Sequence, residues 1–178
     1  MREMRSIDEA IDGLKSDDPD VARRAAKYLV YRFRRAAVPR LCKLLESDSA
    51  VIRDRAAWIL GDILDERSIE PLVRAIEHPR SAGYNGTMVW MLWDMDIAHY
   101  LPRLVRVALS ADFEVRDKVR ILLQEQIWNA TSAEVTEIER IVREAECSRK
   151  SKADVMLGKY VRVIKRTISQ YREWHQRK

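Results

Sequence analysis

Asp48-Ser49-Ala50-Val51-Ile52-Arg53-Asp54-Arg55-Ala56-Ala57-Trp58-Ile59-Leu60-Gly61-Asp62 is the stretch that decides the fold. The Asp-Ser turn supplies a side-chain oxygen for the first free amides of a helix. Advancing about 100° per residue, Ile52, Ala56, Ile59, Leu60 and Ile63 fall on one stripe, as in a helix buried along one side. The Ala56-Ala57 pair lets a neighbouring helix approach closely. Two relatives of this stretch flank it: Asp17-Asp18-Pro19-Asp20-Val21-Ala22-Arg23-Arg24-Ala25-Ala26-Lys27-Tyr28-Leu29 and Asp112-Phe113-Glu114-Val115-Arg116-Asp117-Lys118-Val119-Arg120-Ile121-Leu122-Leu123.

A second series runs in step with the first. Val38-Pro39-Arg40-Leu41, Glu70-Pro71-Leu72-Val73 and Leu101-Pro102-Arg103-Leu104 each open an apolar-periodic stretch, and their prolines stand 32 and 31 residues apart. Proline is well tolerated in the first turn of a helix, where its missing N–H costs nothing. The unit repeated is therefore a pair of helices. An Asp-containing turn, then Ile52-Arg53, Ala56-Ala57 and Leu60-Gly61, resembles the HEAT repeat in its short bacterial and archaeal form, also found in phycobilisome-lyase-like proteins. The resemblance covers about residues 6–129 and departs from the pattern in the third copy, where His78-Pro79-Arg80-Ser81-Ala82-Gly83-Tyr84-Asn85-Gly86-Thr87 replaces the usual turn.

The expected fold is all-α, a right-handed α-α superhelix (solenoid) of about five HEAT-like helix pairs in a single domain over 1–178. Repeats are placed near 6–35, 36–66, 67–97 and 98–129, with a divergent fifth pair and basic capping helix over 130–178. First helices are expected near 7–15, 37–46, 69–77, 100–109 and 133–146. Second helices are expected near 19–34, 50–64, 86–95, 113–128 and 152–174. Five glycines and five prolines are too few for an all-β chain of this length, and no apolar run suits a bilayer span. Met1-Arg2-Glu3-Met4-Arg5 has no apolar stretch behind it, so a cytoplasmic protein without a secretory signal is expected. Cys42 and Cys147 lack metal-ligand spacing, and Cys42 reads as a small buried thiol.

Net charge is +5, but residues 148–178 alone carry +8, which leaves the rest at −3. The basic isoelectric point therefore belongs mostly to the last helix, where Val155, Met156, Tyr160, Val163, Ile164 and Ile168 form the stripe expected to dock on the fifth repeat. A membrane-surface role for that helix is the weaker reading.

In the second helix of repeat two, Trp58 lies well off the buried stripe. The repeat register assigns its equivalents as Lys27, Trp90 and Ile121, and one turn further on as Tyr31, Asp62, Asp94 and Glu125. Second helices of HEAT-like arrays line the concave surface, so the resemblance places these eight residues in two columns across it. Exposed tryptophan there offers a large contact area with little rotamer entropy to lose. A basic run, Arg23, Arg24, Arg32, Arg34 and Arg35, contains no acid and suits phosphates or an acidic protein.

No Gly-rich phosphate loop, nucleophile elbow or Cys/His pairing occurs, and His78, His99 and His175 are scattered. The sequence calls for no cofactor, no metal and no catalytic residue. A non-enzymatic scaffold holding another protein or peptide on its concave face is the leading expectation. The alternative is a nucleic-acid-binding protein similar to the HEAT-like alkylpurine DNA glycosylases, with Trp90/Asp94 or Trp58/Asp62 at the base and Arg116 or Arg120 on a phosphate.

Overall fold

The computed structural model describes residues 4–147 and 155–177, which are all-α, with no strand among them. Arg149, Lys150, Lys152 and Lys178, counted above in the basic tail, lie outside the described residues, as do Met1, Arg2 and Glu3. The chain forms two compact units, Met1–Met95 and Asp96–Lys178. No helix among the described residues is long and apolar enough to cross a membrane.

The first unit is three helix pairs: α1 (Ile7–Leu14) with α2 (Pro19–Lys27), α3 (Val38–Leu44) with α4 (Ala50–Ile63), and α5 (Ile69–Glu77) with α6 (Gly86–Trp90). The helix starts follow the cap chemistry of the sequence. The hydroxyl of Ser6 accepts from the Glu9 amide, the carboxylate of Asp18 from Asp20 and Val21, and the hydroxyl of Ser49 from Ile52. Leu14, Leu29, Leu41, Leu60, Leu72, Ile76, Met88 and Leu92 are fully buried. Each such side chain removed from water contributes roughly 1.5–3 kcal/mol. Arg55 of α4 donates to the carbonyls of Leu14 and Ser16 at 2.8 and 2.9 Å, which satisfies acceptors left over at the end of α1.

Two second helices depart from the expected ranges. The first was expected as one helix to residue 34. It is α-helical only to Lys27 and widens into a π-helical turn over Tyr28–Phe33, ending at Arg34 with φ of 46°. Tyr-Leu-Val-Tyr-Arg-Phe is dominated by aromatic and β-branched side chains that lose χ1 freedom in an α-helix. The third was expected over 86–95 but ends at Trp90. Gly86, Thr87 and Val89 are weak helix formers. Beyond them the chain tightens into three-residue turns, in which the Leu92, Trp93 and Met95 amides bond Val89, Trp90 and Leu92.

The second unit contains α7 (Leu101–Ser110), α8 (Phe113–Gln126), α9 (Ser132–Cys147) and α10 (Val155–Gln176). α7 packs on both α8 and α9, and α10 on both α8 and α9. The docked stripe of α10 is Tyr160, Val161, Ile164, Thr167, Ile168 and Tyr171, whose hydroxyl donates to the Ala130 carbonyl at 2.9 Å. Val155 and Met156 are exposed rather than docked. At 100° per residue Val155 points about 180° from the centre of the stripe, so the apolar spacing there overreached by one turn.

Candidate functional site

Trp58, in the middle of α4, is 52% exposed, although its neighbours Ala57 and Ile59 are buried. The side of α4 that carries it is flanked by two adjoining hollows within the first unit. One, of about 430 Å³, lies against α2 and its π-helical extension, and includes Lys27, Val30, Tyr31, Arg55, Trp58 and Asp62 in its lining. The other, of about 190 Å³, lies against α6 and the turns after it, and is walled by Trp58, Gly61, Asp62, Leu64, Trp90, Met91, Trp93 and Asp94. Trp58 and Asp62 belong to both. The six first-unit members of the two columns, Lys27, Tyr31, Trp58, Asp62, Trp90 and Asp94, therefore line one continuous tract. Ile121 and Glu125 lie on α8 in the other unit, half-buried and exposed respectively.

The floor of the smaller recess is built by close packing. A Cβ at Gly61 would meet Met91 Sδ at 2.7 Å and Met91 Cβ at 3.0 Å, so only glycine lets the Met91 turn lie directly on α4. The three-residue turns then place Trp93 beside Trp90, with ring centroids 4.9 Å apart and a tilt of 42°. Trp90 remains 42% exposed, and Leu64 is half exposed in the left-handed conformation (φ 54°, ψ 51°) that ends α4. A leucine held there costs roughly 1–2 kcal/mol. Trp93, Gly61, Met91 and Leu64 were not among the site residues expected from sequence. The i, i+3 spacing of the two tryptophans was the available signal, hidden by assuming a regular helix through residue 95.

Asp62 and Asp94 are exposed, and among the described residues neither makes a hydrogen bond or ion pair. Other carboxylates are engaged, Asp8 with Arg40, Asp20 with Arg23 and Glu70 with Arg74, while Asp17, Glu66 and Glu125 resemble Asp62 and Asp94 in having no partner among the described residues. Asp65 takes two hydrogen bonds from the Arg67 side chain and one from its amide and lies 3.5 Å from Arg35, and chiefly the Arg67 side-chain bonds hold its carboxyl down at about 2. The other sizeable first-unit hollow, about 380 Å³ beside Cys42, is rimmed by groups that satisfy one another, Arg74 with Glu70 and Arg80 with His78 and the Glu46 carbonyl. Burial first, and Asp65 second, push the half-buried Cys42 thiol up to about 11, so it stays protonated.

The basic run does not gather into one free patch. Arg23 pairs with Asp20, Arg35 with Asp65, and Arg32 reaches the Met4 carbonyl while lying 5.9 Å from the Tyr28 ring and 5.8 Å from the Phe33 ring. Arg24 is half-buried and Arg34 exposed, without a salt bridge. The phosphate-binding residues of the glycosylase alternative are also committed within their own unit. Arg120 holds Asp117 and Gln124, and Arg116 donates to the Ala108 carbonyl. Asp94 is not one α-helical turn beyond Trp90, since α6 has already ended, whereas Trp58 and Asp62 keep that spacing within α4.

Arg116 belongs to a series that the sequence reading left out. Arg53, Asn85 and Arg116 stand 32 and 31 residues apart, in step with the prolines. Each reaches back to backbone carbonyls. Arg53 bonds Ser47 and Asp48 at 2.8 and 3.0 Å, Asn85 bonds Ile76 at 3.2 Å, and Arg116 bonds Ala108 at 3.2 Å. A polar side chain that clamps the preceding turn thus recurs in three successive pairs, and Asn85 fills the place in the irregular third copy. Residues 7–92 match the family model for HEAT repeats. Residues 7–92, just under half of the chain, are HEAT-like repeats. That match takes in the three helix pairs of the first unit, and with them the Trp/Asp tract apart from Trp93 and Asp94. No curated protein matches the chain.

Proposed function

We propose that this protein is a non-catalytic scaffold that holds a segment of a partner protein along α2, α4 and α6. The observation that carries the reading is the pair of adjoining hollows sharing Trp58 and Asp62. Tyr31, 77% exposed, Trp58 and Trp90 form a row of large aromatic groups with no intramolecular role that demands their exposure. Aromatic side chains of this kind dominate binding hot spots because they bury a large area while ordering few rotors. Carboxylates stand between them, and the Tyr31 phenol is the one hydroxyl among the residues that line the two hollows, with no thiol or imidazole among them. The reading is tested with a photo-crosslinking residue at Tyr31 in the full chain, and with the same residue at Val51 as a control. A specific adduct at position 31 that disappears in Trp58→Ala/Trp90→Ala supports it. An adduct that persists undiminished in the double variant, or release of methylated purine from DNA by the purified protein, overturns it.

A further inference from the structure

We infer that the recess walled by Trp58, Trp90 and Trp93 is a receptor for a cationic side chain, arginine above all, presented by a basic segment of the partner; this deepens the scaffold reading and rests on it. Its small volume, about 190 Å³, suits one side chain rather than a helix. Two chemistries converge on that volume. Indole faces carry negative quadrupole potential and attract a guanidinium or ammonium laid over them. Asp62 and Asp94 bring two formal negative charges to the same wall, and no cation among the described residues pairs with either. Lys27 lines the adjoining hollow with Asp62 yet forms no ion pair with it.

The cation surplus of the chain, 33 Lys/Arg against 28 Asp/Glu, lies in residues 148–178, and the remainder, at −3, has none to spare for these two carboxylates. Asp8, Asp20, Asp65 and Glu70 of the first unit pair with arginines, whereas Asp62 and Asp94 have no partner among the described residues. An apolar ligand would leave Asp62 and Asp94 desolvated and unpaired, which is costly. A cation removes that cost. Arginine suits the site better than lysine, since a planar guanidinium stacks on an indole while its edge donates to a carboxylate. The left-handed Leu64 at the rim adds an apolar surface for the side-chain methylenes.

The probes are three blocked pentapeptides, Ac-Gly-Gly-Xaa-Gly-Gly-NH2, with arginine, norleucine or glutamate at Xaa. They are titrated into the full-length protein while the indole N–H signals are followed by NMR, with Trp58→Phe and Trp90→Phe used for assignment. The arginine peptide shifts the Trp58 and Trp90 signals saturably, with weakening as salt is raised. Norleucine binds at least tenfold more weakly, glutamate gives no shift, and Asp62→Asn or Asp94→Asn weakens arginine binding at least threefold. Equal binding of the norleucine peptide overturns the inference while leaving the scaffold reading standing, since an apolar anchor then suffices. Arginine binding unchanged in both Asn variants also overturns it, as does failure of the arginine peptide to perturb either indole. A position-31 crosslink that persists undiminished in Trp58→Ala/Trp90→Ala, while the unsubstituted protein still binds the arginine peptide, marks the opposite case, in which the scaffold reading fails and the cation site stands.

Discussion

Replacing Arg53 by methionine should unfold the first unit at a much lower temperature while leaving the second unit's transition in place. Arg53 is only 3% exposed, and its guanidinium fills a gap between two turns. One nitrogen donates to the carbonyls of Ser47 and Asp48, and the other crosses to the carbonyl of Arg80 at 3.0 Å, in the turn that follows α5. Its Nε is buried without an acceptor. Methionine keeps the packing of the stem and removes every donor. A hydrogen bond to a charged group contributes roughly 1.5–3 kcal/mol, and a buried acceptor left without one costs about 1–3 kcal/mol. Against three lost bonds stands the recovered desolvation cost of a buried guanidinium, several kcal/mol by itself. The net loss works out at about 3 kcal/mol.

For a domain of this size each kcal/mol moves the transition by about 4–8 °C, so the lower calorimetric transition should fall by about 10–25 °C. Native-state hydrogen exchange should show the loss in α5, which the Arg80 clamp anchors, and not in α9. Arg53→Lys should recover less than half, because one ammonium cannot span carbonyls from two turns. A loss under about 1 kcal/mol in Arg53→Met would refute the reasoning. It would mean that water replaces the guanidinium at those carbonyls and that the clamp is not what holds the irregular third turn.

Three further perturbations test other parts of the structure. Gly61→Ala forces a methyl group into Met91, whose Cβ would be 3.0 Å away; overpacking of about 1–3 kcal/mol set against a helix-propensity gain of about 1 kcal/mol should give a net loss of about 1 kcal/mol by denaturant titration, together with displaced Trp90 and Trp93 indole signals. Leu64→Gly relieves the left-handed residue that ends α4 and should stabilise the first unit by about 0.5–1 kcal/mol in the same titration, and no gain would show that the conformation is unstrained. His99 is raised chiefly by its hydrogen bond with Glu134, whereas Glu134 is pushed up by partial burial but held lower overall by His99 and Thr131. The His99 contribution is complete below its ordinary 6.5 and lost as pH rises through the raised value; the Glu134 contribution is present above 4.5 and lost as pH falls. Melting of the second unit followed against pH should therefore show a maximum between those values that flattens in His99→Gln.

What was legible in the sequence, and what was not, separates along a physical line. The first helices start and end within a residue or two of their expected bounds because proline, caps and apolar period act locally and agree with one another. Second helices carried the errors, because their last turns are set by neighbours. The turns after Trp90 close on α4 only because Gly61 has no Cβ, and Tyr28–Phe33 opens into a π-helical turn within a segment whose α-helical pattern continues unbroken. The clamping role of Arg53, quoted only as part of the repeat pattern, escaped notice for the same reason. An arginine read along one helix belongs on the surface, and only the third pair's turn, 27 residues away, supplies the acceptor that draws it inside. The Trp/Asp tract was reachable because repeat register, unlike helix geometry, survives these local distortions. Counting 31 or 32 residues places Lys27, Trp58 and Trp90 on neighbouring elements whether or not each element is a regular helix. The tandem repeat thus supplies long-range information that no single helix contains. That is also why the clamp series Arg53, Asn85, Arg116 emerges once the spacing is applied to polar positions as well as to apolar ones.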